Sequence, residues 1–270
     1  HQRSAFHPPP IELASIVPDS PTRSFTRIIG IDCATDARKV GLALCTVSDG
    51  SARIEEVGTG RTWDQIDAQV ASWTTGATLL ALDAPLGWPA ALGESLHAHR
   101  AGDGFNDPPN AMFRRATDDA VAARLRKRPL DVGSDRIART AHAALSFLVR
   151  LRARLDQPIP LAWNTEPMDA VAAIEVYPAG TLAARDLPSS GYKGSTDAAV
   201  SLRRTLVAAI SEQLTFDAHA AEEMSGSDHA LDAALCVCAG LDFRAGESVA
   251  PEDLESAKRE GWIWVRPRGA

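Results

Sequence analysis

Long hydrophobic runs are missing from this chain of 270 residues. No stretch approaches the roughly 20 apolar residues of a membrane span. The opening stretch, His1 to Arg27, has no apolar signal core and carries three consecutive prolines, Pro8 to Pro10. It reads as a flexible arm, and without an export signal the expected compartment is the cytoplasm. Cysteine is scarce: Cys33, Cys45, Cys236 and Cys238 sit in apolar surroundings, with no CxxC pair. Cys236 and Cys238, two apart in a helical stretch, point to different faces, so the four read as buried free thiols rather than a metal or redox site. Aromatic residues make up only 6% of the chain, which argues against a broad base-stacking platform. The GxxxxGK[ST] phosphate loop, glycine-rich phosphate loops in general and any internal repeat are absent as well. His97-Ala98-His99 places its two histidines badly for zinc if the stretch is helical.

What is present is an ordinary globular composition, 45% hydrophobic and 23% charged. It suits one domain over 27–270, with an arm over 1–26 and a helical insertion at about 88–170. The formal net charge of −7 is unevenly spread. From Arg114 to Arg154 there are eleven Lys or Arg against Asp118, Asp119, Asp131 and Asp135, a local excess of +7. That segment reads either as a polyanion-binding face on an acidic protein or as a solvated, arginine-rich helical surface.

The most informative stretch is Thr78 to Gly87. Leu79, Leu80, Ala81 and Leu82 form a buried strand that ends on Asp83, and Pro85 and Gly87 stop it. Arg27 to Asp32 has the same design. Carboxylates at the tips of buried strands are costly to desolvate, so a cation, a metal or backbone donors must offset them. Val40 to Val47 and Ala52 to Val57 read as two more strands around the turn signal Ser48-Asp49-Gly50. Thr62 to Ser72 reads as an amphipathic helix with Ile66, Val70 and Trp73 on one side. A β-β-β-α-β order of this kind gives a mixed sheet. Pro85 to Val171 is rich in turn signals and holds two expected helices, Ala116 to Arg126 and Ile137 to Leu155. Val171 to Val176 is a fifth strand bearing Glu175. Thr181 to Arg185 reads as a short helix, Ser189 to Gly194 as a loop, and Asp197 to about Gln213 as a helix. Ser227 to Leu241 is a nearly apolar helix apart from Asp228, His229 and Asp232. Asp228 and Asp232, four apart, share one face and repel unless a cation lies between them. His229 reads as a surface residue. Gly261 to Val265 reads as an edge strand or a packed terminal segment.

Taken in order, Gly30-Ile31-Asp32, Asp83-Ala84-Pro85-Leu86-Gly87, Arg115-x-x-Asp118, Glu175-Val176-Tyr177-Pro178, Tyr192-Lys193, Asp228-x-x-x-Asp232-Ala233 and Glu260-Gly261-Trp262-Ile263 resemble one family, the domain of unknown function 429, described as predicted nucleases. The helix motif is also similar to the last helix of Holliday-junction resolvases. The resemblance covers most of the chain. It implies an α/β, ribonuclease H-like fold: a five-stranded mixed sheet, order 3-2-1-4-5, with helices on both faces. It further implies a divalent-metal-dependent nuclease that hydrolyses phosphodiester bonds by a two-metal carboxylate mechanism with Mg²⁺ or Mn²⁺. Asp32, Asp83 and Asp232 would be ligands, with Asp228 or Glu175 supplying a fourth. Lys193 would hold a scissile phosphate or offset the acid cluster. Nucleic acid, DNA or RNA, would be the partner, with the Arg114–Arg154 segment along its backbone. Two other readings compete. One is a non-catalytic nucleic-acid-binding or interaction module that kept the fold. The other is a phosphotransferase related to actin-like ATPases, which lacks the expected duplicated domain and phosphate loops.

Overall fold

The computed structural model describes residues 25–48, 50–166 and 170–269. Most of the expected arm, up to Ser24, lies outside the described residues. Phe25 is buried, and Arg244 Nε donates to its carbonyl oxygen at 2.8 Å, so packing begins just ahead of the first strand.

Five strands form one sheet: β1 (Arg27–Asp32), β2 (Gly41–Ser48), β3 (Ser51–Thr59), β4 (Thr78–Asp83) and β5 (Val171–Glu175), in the order β3-β2-β1-β4-β5. β1, β2 and β3 are an antiparallel meander, while β4 and β5 run parallel to β1. Helix α1 (Trp63–Trp73) makes the crossover from β3 to β4, and Thr62 caps it by accepting from Gln65 N–H. The long segment between β4 and β5 carries α2 (Ala90–Leu96), α3 (Pro109–Phe113), α4 (Ala116–Leu125) and α5 (Asp135–Leu155). After β5 come α6 (Pro178–Ala184), α7 (Asp197–Ile210), α8 (Ala218–Gly226), α9 (Asp228–Arg244) and α10 (Leu254–Glu260).

Strand alternation sorts the core into two layers. Ile28, Leu79, Ala81 and Ile174 pack beneath α9, with α6, α7 and α8 around it. Ile29, Ile31, Leu80, Leu82 and Ala173 pack on the other face against α1 and α5. Helix α5 is therefore a structural layer of the sheet: Ala144, Phe147, Leu148 and Leu151 are buried against it. Two of its arginines reach α1, Arg150 to Asp67 at 2.6 Å and Arg154 to Asp64 at 2.8 Å. Much of the basic segment thus faces acidic neighbours within the fold. The tail packs beside β5, where Trp264 N–H donates to Glu175 O at 2.9 Å. Cys45, Cys236 and Cys238 are buried free thiols and Cys33 is half-buried. Among the described residues no helix is long and apolar enough to cross a membrane.

Candidate metal centre

Parity and register place the first two carboxylates. β1 and β4 are parallel neighbours with Asp32 opposite Asp83. Asp32 shares its strand face with Ile28 and Gly30, and Asp83 shares its face with Leu79 and Ala81, so both point toward α9. Helix α9 can come close enough to add a third because two glycines lie beneath it. A Cβ on Gly30 would stand 2.0 Å from Ala233 O, and one on Gly41 would stand 2.0 Å from His229 O. That close approach brings Asp232 to the strand tips. One oxygen each from Asp32, Asp83 and Asp232 lie within 4.8 Å of one another.

The neighbours of this triad are set with similar care. His229 Nδ1 lies 2.6 Å from Asp32 Oδ2. Tyr192 O–H donates to Asp232 Oδ1 at 2.8 Å, and Lys193 Nζ stands 2.7 Å from Asp232 Oδ2. Burial pushes the Asp32 carboxyl up to about 6; the His229 contact works against this rise and the Asp232 charge adds to it. Burial, then the charges of Asp32 and Asp232, hold Asp83 well above the usual carboxylate range. Asp232 is raised by burial and relieved by Lys193 and Tyr192. His229 is raised by its bond to Asp32, with burial opposing.

Glu175 and Asp228, expected as further site carboxylates, are not brought into this set. Alternation turns Glu175 to the opposite face of the sheet from Asp83, since Val171 and Ala173 share its side and pack with the α1 and α5 layer. There both its oxygens are engaged. Arg115 donates to Glu175 Oε1 at 2.8 Å and to Oε2 at 2.9 Å, and Leu86 N–H donates to Oε2 at 2.9 Å. Arg115 also pairs with Asp118 at 2.9 Å and reaches Glu260 O at 3.3 Å. Burial raises the Glu175 carboxyl, and the Arg115 charge partly offsets that. This buried network ties α4, β5 and the end of α10 together. Glu260 extends it by accepting from Ala90 N–H and Ala116 N–H, the first residues of α2 and α4. Asp228 sits at the first position of α9 and accepts from Gly194 N–H at 2.9 Å, so it anchors the loop that carries Lys193.

Two positioning residues lie outside the expected set. His229 is partly buried against Asp32 rather than a plain surface residue; its sign in the sequence is its place three residues before Asp232, on the same helix face. Arg203 is 1% exposed, and its guanidinium donates to the carbonyls of Tyr192, Gly194, Ser225 and Gly226 at 2.7 to 3.1 Å. It clamps the Tyr192–Lys193 loop to the end of α8, just ahead of α9. Its signal is an arginine on the buried stripe of α7, among Ala199, Leu206 and Ile210.

Three carboxylates are hard oxygen donors, the donor type that Mg²⁺ and Mn²⁺ take. Lys193 stands against Asp232 and His229 against Asp32, and a further cation among the three oxygens would favour their joint ionisation. The donor set therefore fits a divalent ion. A cleft of about 460 Å³ opens onto Asp83, walled by Lys193, Tyr177, Lys127 and Leu130 among others.

Fold and site together define an α/β protein that gathers three acids, two of them buried, at one edge of a mixed sheet. The chain belongs to the family described as protein of unknown function (DUF429), whose model matches residues 30–256. No curated protein and no solved structure matches it. The family match spans the triad, the Lys193 loop and the Arg115–Glu175 pair, and stops short of Glu260.

Proposed function

We propose that this protein is a divalent-metal-dependent nuclease of ribonuclease H-like fold, with Asp32, Asp83 and Asp232 holding Mg²⁺ or Mn²⁺. One observation carries the reading: three carboxylates from residues far apart in sequence, Asp32 and Asp232 buried and Asp83 half-buried, converge within 4.8 Å. Such a cluster is unfavourable in itself and persists where it serves a ligand. The sheet order, with the acids on adjacent strands and the helix across them, supports the finer fold assignment.

A bound ion supplies a Lewis acid and a water activated at neutral pH. The chain's own groups do the rest. Tyr192 and His229 hold Asp232 and Asp32 in fixed rotamers, as outer partners of ligating carboxylates do. Lys193 has a side chain 61% exposed, so it is free to swing from Asp232 to a phosphate oxygen once the triad's charge is neutralised. Gly194 N–H engages Asp228 Oδ2, so Asp228 would reach a second ion only through its other oxygen. Exposed Arg126 and Arg136 leave positive charge at the surface for a nucleic-acid backbone.

The test is cleavage of a mixed panel of labelled DNA and RNA substrates with Mn²⁺ or Mg²⁺, comparing wild type with Asp83→Asn. Metal-dependent cleavage that disappears in the variant is the expected result. No cleavage, together with no calorimetric metal binding by the wild type, would overturn it.

A further inference from the structure

The cleft above Asp83 has a shape and chemistry that the carboxylates alone do not explain. About 460 Å³ falls in the range of pockets that enclose a single small molecule. It is far too small for a double helix, whose major groove alone is roughly 12 Å wide. Besides the Arg115–Glu175 pair and the Ser189–Gly191 loop, its walls are apolar on one part and cationic on another. Pro129 and Leu130, in the link between α4 and α5, Ile137 on α5 and the ring of Tyr177 after β5 present apolar surface. Lys127 and Lys193 bring two ammonium groups, and Asp83 forms part of the lining between the strand edge and the loop. Lys127 is fixed to the loop by donating to Ser189 O at 3.2 Å.

Leu130 stands out. It is 70% exposed while lining the cleft. Tyr177 has burial raising its hydroxyl to about 12, so the group stays neutral and its ring remains an uncharged flat surface. An apolar wall with an aromatic ring, next to two lysines and an acid cluster, matches one nucleotide: the base against Leu130 and Tyr177, the phosphate toward Lys127 and Lys193.

We infer that the cleft is a mononucleotide pocket, so that the substrate is a single strand, a frayed end or an extruded nucleotide rather than an intact duplex. The inference rests on the nuclease reading for its cleavage consequence and on the pocket alone for its binding consequence. A stacked and paired base cannot enter without being flipped out, so paired substrates carry an unstacking penalty of a few kcal/mol.

Two experiments separate the pocket from the reaction. In the first, calorimetry with Mg²⁺ present compares nucleoside 5′-monophosphates with inorganic phosphate, on wild type and on Leu130→Asp. Nucleotides should bind at least about tenfold more tightly than phosphate, and Leu130→Asp should remove most of that difference. Leu130 is exposed, so the variant keeps the fold, and its affinity for Mn²⁺ alone should match wild type. Equal affinity for nucleotide and phosphate would overturn the pocket, whatever the cleavage assay gives. In the second, a labelled oligonucleotide is offered with Mn²⁺ as a single strand and as a blunt duplex. The single strand should be cut at least about tenfold faster, and Leu130→Asp should raise its KM while leaving metal affinity alone. Equal rates on the two forms would overturn the inference and leave the nuclease reading intact. Tight nucleotide binding with no cleavage of either form and no Mn²⁺ binding would sink the nuclease reading and leave the pocket standing.

Discussion

Asp32 and Asp83 stand side by side at strand tips, Asp32 buried and Asp83 half-buried beside the cleft, and desolvation makes each resist ionisation. The Asp32 carboxyl titrates near 6 in the fold against an ordinary value of 3.8. A raised acid binds its proton more tightly when folded, so its contribution to stability is complete below the unfolded value and fades as pH rises through the folded one. For Asp32 the window runs from about pH 4 to about pH 6, and the contribution is about 3 kcal/mol. His229, raised from its ordinary 6.5, has the same sign but acts above that value, outside this window. Metal-free wild type should therefore lose more stability than Asp32→Asn as pH climbs across that window, measured by urea unfolding at a series of pH values. Parallel pH curves for the two proteins would mean that Asp32 titrates normally. Lys193 gives a second residue-level expectation. Lys193→Met removes the cation nearest Asp232, so the metal-free variant should melt lower than wild type at neutral pH. Added Mn²⁺ should close most of that gap, because the ion takes over the neutralisation. A gap that persists at saturating Mn²⁺ would show that Lys193 packs rather than compensates.

At the scale of elements, the Arg115 network decides how the outer helices sit on the sheet. Arg115 is 2% exposed between Asp118 and Glu175, and removing one partner of such a buried group leaves charge without compensation. Arg115→Met should lower stability by about 3–5 kcal/mol in denaturant unfolding, and pairing it with Glu175→Gln should recover part of that loss. Full additivity of the two changes would place them in separate networks. The same network shows where the sequence is legible and where it is not. β1 and β4 can be read directly, because unbroken apolar runs end abruptly on an acid; the β-β-β-α-β order leads to a mixed sheet, and the strand order found, β3-β2-β1-β4-β5, is the one the family resemblance implies. α2 cannot be read from its own residues: Pro89 offers no side-chain cap, and the N–H of Ala90 is satisfied by Glu260, 170 residues away. α8 and α10 carry local signals in their caps, Asp217 and Asp253, which a search for apolar periodicity passes over. Glu175 is legible as a buried strand residue, but its side of the sheet follows only from register. Its neighbour Leu82 pairs with it, one residue short of Asp83, and that single step puts the two acids on opposite faces. The charge of the Arg114–Arg154 segment reads as an open basic face only until α1 is packed against α5.

On the scale of the whole molecule, the triad draws on positions 32, 83 and 232, contributed by two central strands and the helix that covers them. No loop or terminal helix holds two of the three. Opening an outer segment such as α2 or α3 leaves the set intact, whereas lifting α9 from the sheet destroys it together with the larger core cluster. A divalent ion should thus bind the folded state alone and stabilise against global unfolding, with little effect on local opening. At a free Mn²⁺ concentration of about 100 times the dissociation constant, the gain should be about 2.7 kcal/mol. Native-state hydrogen exchange separates global from local effects. Amides in β1, β4 and α9 should slow by about 100-fold on adding Mn²⁺, while those in α2 and α3 stay unchanged. Asp83→Asn should abolish the slowing while retaining the exchange pattern of the metal-free protein. Because the ion displaces protons held by raised carboxyls, its affinity should also climb as pH rises through about 6, the value at which Asp32 ionises. Calorimetry in buffers of different ionisation heat would read that proton release directly. Protection confined to the Tyr192–Lys193 loop, with no proton released, would place the ion outside the triad and remove the metal centre from the sheet edge.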